Sequence, residues 1–130
     1  MNILEELCSH LDFLNLGFMN TDEEEGNLFW GILPEMPDRA LSVMSTDSAY
    51  GGSAEGARLQ IFTRGMPGDV RTPYEWALDV CRQLENFHGF LHGDGPYVRI
   101  EAVSVAQGCG TDTRGRHLYV SNYRVFYCDY

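Results

Sequence analysis

The sequence predicts an α+β domain, with two helices packed on a mainly antiparallel sheet of about five strands in the order α-β-β-β-α-β-β. Three observations predict it. Apolar residues recur at three- and four-residue steps in two separate stretches, one at the N-terminus and one after residue 72. Short apolar or alternating runs lie between and after those stretches and read as strands. No strand-helix-strand unit repeats, so a doubly wound parallel sheet is not expected. The 130 residues suit one domain, 1–130, built on one core.

The first helix is expected over Asn2 to Leu16. Ile3, Leu4, Leu7, Cys8, Leu11 and Leu14 line one side, polar residues fill the rest, and Gly17 ends it. Thr21 to Gly26 carries Asp22, Glu23, Glu24 and Glu25 and reads as a solvated loop, because a metal loop needs ligands spaced around a bend. Leu28 to Leu33 and Ala40 to Ser45 read as a hairpin joined through Pro34 and Pro37. Thr46 to Gly56, rich in Ser, Gly and Ala, reads as a long loop. Leu59 to Arg64 alternates Leu59, Ile61 and Thr63 against Gln60, Phe62 and Arg64 as a strand does.

The second helix carries the strongest local signals. Thr72 is the expected N-cap, Pro73 the first helical residue, Glu75 its capping-box partner and Gly89 the stop. Its apolar residues cover about 200° of the helix, whereas packing on one sheet needs a stripe of about 100°. The excess is chiefly Trp76, Val80 and Phe87, which must meet either the N-terminal helix or a neighbouring subunit. Two longer strands follow, Tyr97 to Ala106 and His117 to Tyr127. The first changes apolar phase between Ala102 and Val103, which predicts either a bulge or a strand apolar on both faces. The second places Tyr119, Tyr123 and Tyr127 on one face, which suits a half-exposed surface or an interface. Between them, Gln107 to Arg116 reads as a mobile loop or a projecting arm, with Arg114 and Arg116 as candidate contacts.

Composition excludes several function classes. The net charge is −10, and all nine basic residues are arginines spread along the chain. Tight nucleic-acid binding needs clustered cations, so it is not expected. The N-terminus MNILEELCSHLDFL has no basic region and carries Glu5 and Glu6 early, unlike a signal peptide, and no apolar run is long enough to span a membrane. A cytoplasm-like compartment is expected. Cys8, Cys81, Cys109 and Cys128 form no C-x-x-C pair, so neither a zinc site nor a thioredoxin-type motif is expected, and without a secretion signal a disulfide framework is not expected either.

No stretch reads as a catalytic site. His88 and His92 stand four apart near Asp94, but Gly89 and Gly93 interrupt the helix that a shared metal would need. Cys109 sits among glycines with Asp112, Arg114 and His117 nearby in sequence, and nothing in the spacing makes it a nucleophile. Gly108-Cys109-Gly110 and Gly51-Gly52 lack the rest of a dinucleotide or phosphate-loop motif. Catalytic residues, cofactors and metals are therefore not expected.

Four segments occur in an order and spacing that resemble a known family: GILPEMPDRAL at Gly31 to Leu41, LQIFTRG at Leu59 to Gly65, YEWALDVCRQL at Tyr74 to Leu84 and RGRHLYVSNYRVFY at Arg114 to Tyr127. Together they resemble the minor capsid or tail terminator proteins of long-tailed bacteriophages. The resemblance implies a structural virion protein rather than an enzyme. It implies a homo-oligomeric ring, a hexamer in the family, that caps the head-proximal end of the tail tube, ends tail elongation and joins the head. Its partners would be other copies of itself, the tail tube protein and a head connector or neck protein, with genomic DNA passing through unbound. It would be found in the virion tail or neck, and in the host cytoplasm during assembly. The alternatives are a head-completion or neck adaptor, or an acidic monomeric binding or inhibitor module. Trp76, Val80, Phe87, Arg114, Arg116, Tyr119 and Tyr123 are the candidate assembly-interface residues.

Overall fold

The computed structural model describes residues 2–46 and 56–127. Their elements are α1 (Ile3–Phe13), β1 (Leu28–Trp30), β2 (Ala40–Ser45), β3 (Ala57–Pro67), α2 (Arg71–Leu84), β4 (His88–Phe90), a 3-10 turn (Leu91–Gly93), β5 (Tyr97–Thr111) and β6 (Arg116–Tyr127). The α+β class holds. The sheet, however, has six strands rather than five, in the order β1-β2-β3-β6-β5-β4, and it is mixed. The segment 47–55, most of the expected long loop, and Cys128 lie outside the described residues.

Two differences create the extra strand and the mixed sheet. β1 and β2 are parallel, with Leu28 beside Leu41 and Trp30 beside Val43, and so are not a hairpin. An apolar run, a proline-rich turn and a second apolar run look the same in sequence for either direction. Here the connection 31–39 turns back over the sheet instead of making a tight reversal, with a cis peptide at Met36–Pro37. The second difference follows α2. The helix ends at Leu84, because Asn86 adopts φ 59° and the chain becomes extended. β4 then pairs with β5, His88 opposite Arg99 and Phe90 opposite Tyr97.

The helix starts also have identifiable causes. Asn2 caps α1 by accepting hydrogen bonds from the amides of Leu4 and Glu5. In α2 the capping carboxylate is Asp69, not Thr72: its Oδ1 accepts from the amides of Arg71 and Thr72 at 3.1 and 3.0 Å. Glu75 pairs with Arg71 instead of closing a capping box. Pro73 still lies in the first turn, where its missing N–H costs nothing. It packs so closely on Gly65 of β3 that a Cβ there would sit 2.7 Å from its ring, and Thr63 donates to its carbonyl at 2.8 Å. That contact docks the start of α2 on the centre of the sheet.

One continuous core lies between the helices and one face of the sheet. It includes Ile3, Leu7 and Leu11 from α1, Leu41 and Val43 from β2, Leu59 and Ile61 from β3, Val80 and Leu84 from α2, and Tyr123 and Val125 from β6. The expected bulge in β5 is present, with the β5–β6 register shifting between Ala102 and Ser104. The region 107–116 is not a loop. β5 continues through Thr111 with Gln107 opposite Val120 and Gly108 opposite Tyr119, and only residues 112–115 turn. Gly115 at φ 75° takes the left-handed position, and the Gly115 amide donates to Asp112 O as in a short hairpin turn. Leu84 is fully buried where α2 meets the sheet. Leu84→Ala should cost about 2–5 kcal/mol by chemical denaturation, because the surrounding core cannot fully close the cavity.

Candidate functional site

The expected interface residues separate into two groups. Trp76 and Val80 are 5% and 0% exposed and fill the chain's own core. The Trp76 indole donates to Leu16 O at 2.7 Å, so the excess apolar arc of α2 meets the segment that follows α1. The Arg39 guanidinium lies 4.6 Å over the same ring. Phe87 is half-buried against His10, with ring centroids 4.9 Å apart. Tyr123 is 1% exposed on the helix side of the sheet, so the tyrosine face of β6 is mainly a core face. Arg116 is 1% exposed. Arg114 and Tyr119 retain surface, Arg114 exposed and Tyr119 half-buried.

Arg116 belongs to a cluster that the sequence did not reveal. Its Nε donates to Asp112 Oδ2 at 2.8 Å, and its Nη1 donates to Glu35 O at 2.6 Å and Asp38 Oδ1 at 3.0 Å. Arg64, 4% exposed, directs its guanidinium at the same loop. It donates to Asp38 O at 2.9 Å and to Pro34 O and Pro37 O at 2.7 Å each. Burial and the neighbouring Arg116 charge hold the Arg64 pKa below its ordinary value. Burial works to raise the Asp112 pKa, but the Arg116 amide and guanidinium and the Arg114 amide hold it below the usual carboxylate range. Arg114 completes the clasp through an ion pair to Glu35 at 3.0 Å. Thus the tip of the β5–β6 hairpin is tied to its own chain rather than projecting freely, and the Gly68 amide donates a hydrogen bond to Gly115 O at 3.0 Å.

An apolar surface adjoins this end. Met66, Val70 and Tyr74 are about half exposed at the β3–α2 connection. Tyr119 packs edge-on to Tyr74 at 5.5 Å and donates its hydroxyl to Val70 O. Trp30, Ile32 and Met36 are also exposed, along the edge strand and the loop after it. The sequence pattern did not single them out: Trp30 and Ile32 fall in the run read as a strand, and Tyr74 in the stretch read as the second helix.

The histidines do not form the site their spacing suggested. His88 is on β4 against the Tyr97 ring, while His92 is in the 3-10 turn at φ 38°. His92 engages Glu6 at 2.6 Å through Nε2 and Asp94 at 3.0 Å through Nδ1, so neither nitrogen is open to a metal. The hydrogen bond that His92 donates to the Glu6 carboxylate raises its pKa against an opposing effect of burial. The His92 amide donates to Nδ1 of His10, which is 2% exposed and has no partner for its buried Nε2 among the described residues. Burial lowers the His10 pKa to about 4. No group of three or more potential metal ligands occurs among the described residues.

Burial pushes the Cys8 thiol up to about 12, and Cys109 is exposed with its Sγ 3.7 Å from Gln107 O, not against a histidine. No described helix is long and apolar enough to cross a membrane, which leaves β-barrel spanning unaddressed. Comparison of the chain with protein-family models, curated proteins and solved structures finds no match.

Two outcomes are expected. Arg116→Ala should destabilise the protein by about 3–5 kcal/mol in urea denaturation, because Asp112 and Asp38 lose their buried partner. Arg116→Lys should recover only part, since an ammonium cannot reproduce the guanidinium fork. The histidines should titrate in opposite directions. His10 binds its proton less readily folded than unfolded, so its contribution is complete above its ordinary value of 6.5. It falls as pH drops towards about 4, by on the order of 3 kcal/mol. His92, with its raised pKa, contributes fully below 6.5 and loses that contribution as pH rises through its folded value. Imidazole NMR titration should show His10 neutral until about pH 4 and His92 titrating above 6.5.

Proposed function

We propose that this chain is a structural virion protein of a long-tailed phage. In this proposal it is a tail terminator whose copies form a ring at the head-proximal end of the tail tube, ending elongation and providing the surface that joins the head. The order and spacing of the four segments, from Gly31 to Tyr127, suggest the family. The observation that carries the reading is the layer arrangement. Both helices pack on one face of the sheet, while the middle of the other face and the apolar turn around Met66, Val70 and Tyr74 are left without a covering element among the described residues. A two-layer protein with such faces is suited to burying them against neighbouring copies, tube protein or a neck connector. Ring closure uses two different patches on each copy. DNA passes through the ring unbound, in keeping with the −10 charge. The proposed role needs no catalytic residue or cofactor.

A neck adaptor would use the same faces. An acidic monomeric module is favoured by one specific feature, the exposed carboxylates Asp22 to Glu25 on an ordered loop. Imaging particles from a phage lacking this gene separates the readings. Overlong tails with unjoined heads are expected for a terminator. Normal-length tails that fail to join heads would move the assignment to the adaptor, and normal virions would remove the structural reading altogether.

A further inference from the structure

The sheet face turned away from the helices carries a row of arginines in excess over carboxylates among the described residues. Arg58 on β3 and Arg124 on β6 are register partners, so two arginines occupy directly opposite positions on the same face. Like charges in that relation repel. On the other side of Arg124, its β5 partner is Glu101, but that carboxylate is already bonded to Arg99 at 2.5 Å. Arg99 in turn lies 4.2 Å over the Phe126 ring. Neither Arg58 nor Arg124 forms an ion pair within the described residues. Locally, three arginines therefore face one carboxylate, in a chain whose net charge is −10.

A groove of about 330 Å³ opens at this row, lined by Thr46, Arg58, Val103, Ser104, Asn122 and Arg124. Its polar floor is fixed. Gln60 Nε2 donates to Asn122 Oδ1 at 3.2 Å, and Asn122 Nδ2 donates to Ser104 Oγ at 2.8 Å. A cationic groove with a held amide-hydroxyl ladder is suited to a carboxylate-bearing peptide segment.

We propose that this groove receives the Asp22–Glu25 loop of a second copy of this chain. Charge complementarity selects the occupant. The loop presents four consecutive carboxylates, all exposed and none in an ion pair within the described residues. It is already shaped for presentation: Thr21 Oγ1 accepts from the Glu23 and Glu24 amides, Asn20 Oδ1 from the Gly26 amide, and Asn27 Oδ1 from the Phe18 amide. Ordering before contact lowers the entropic cost of binding.

The two patches lie apart on the fold. The loop precedes β1 at one edge of the sheet, while the groove spans β3, β6 and β5. A contact between unlike patches is head-to-tail, and repeated around an axis it closes a ring. This inference rests on the proposed function only for ring closure; the pairwise contact stands on the charges.

The test is a charge swap read by sedimentation and light scattering over a concentration series. The wild-type chain should self-associate, more weakly as salt is added. Arg58→Glu/Arg124→Glu and, separately, Glu23→Arg/Glu24→Arg should each weaken association by at least roughly tenfold while remaining folded by circular dichroism. Combining all four substitutions in one chain should restore it, which a folding defect would not allow. Mixing the two double variants should restore association between unlike chains, because each variant's loop is complementary to the other's groove. A wild-type chain that stays monomeric, an Arg58→Glu/Arg124→Glu variant that assembles normally, or a four-fold swap that fails to regain assembly would overturn the proposal. Particle imaging separates this from failure of the terminator reading, since normal virions without the gene leave the self-contact untouched.

Discussion

Two guanidiniums buried side by side set the shape of one end of this molecule. Arg64 in β3 and Arg116 at the start of β6 repel each other, and burial weakens the hydration of both. The arrangement persists because Pro34, Glu35, Pro37 and Asp38 turn carbonyl oxygens towards them, and Asp38 and Asp112 supply carboxylates. Three separate connections are thereby fixed at once. The loop after β1 is held over the sheet, the β5–β6 turn is closed onto it, and the β3–α2 turn is joined through Gly68. The parallel β1–β2 pairing depends on the first of these. A connection pinned back over the sheet can return the chain in the same direction, whereas a tight reversal cannot.

The elements with strong local periodicity were legible: α1, the body of α2, β3, β6 and the bulge in β5 each follow from side-chain spacing. What escaped was set by partners distant in sequence. Strand direction at β1 depends on Arg64 and Arg116, which are neutral choices in any propensity scale. The end of α2 depended on Asn86 taking a left-handed conformation and on β5 offering an edge to His88–Phe90. The cap at Asp69 was hidden because Thr72, three residues later, fits the same role. The strand character of 107–111 was masked by Gly108 and Gly110, which read as loop residues yet tolerate a bulged ladder.

The interface reading was least legible for a related reason. An apolar arc twice as wide as one sheet requires signals a second contact, but periodicity is blind to whether that contact is intramolecular. In α2 it is the segment ending α1, reached by Trp76. Met66, Val70 and Tyr74, which do retain apolar surface, belong to the end of β3, the turn after it and the first turn of α2, where too few residues lie in one element for a period to reveal them. Support for an assembling protein therefore moves from the helix to the uncovered face of the sheet and the turn at its end.

The distribution of charge bears on how such a chain can meet itself. A net charge of −10 opposes self-association at long range, but beyond about 8–10 Å salt screens that repulsion, and contact energies are decided locally. Most arginines are already assigned within the protomer. Arg64 and Arg116 hold the clasp, Arg114 pairs with Glu35, Arg71 and Arg82 pair along α2, Arg39 covers Trp76 and Arg99 covers Phe126. Arg58 and Arg124 are left opposite each other on one sheet face, and the carboxylates of 22–25 are left together at another edge. Scattered surface charges have no preferred orientation for a neighbour. Unlike charges gathered at two separate places on one fold make a head-to-tail encounter the arrangement in which both sets lose their own like-charge repulsion.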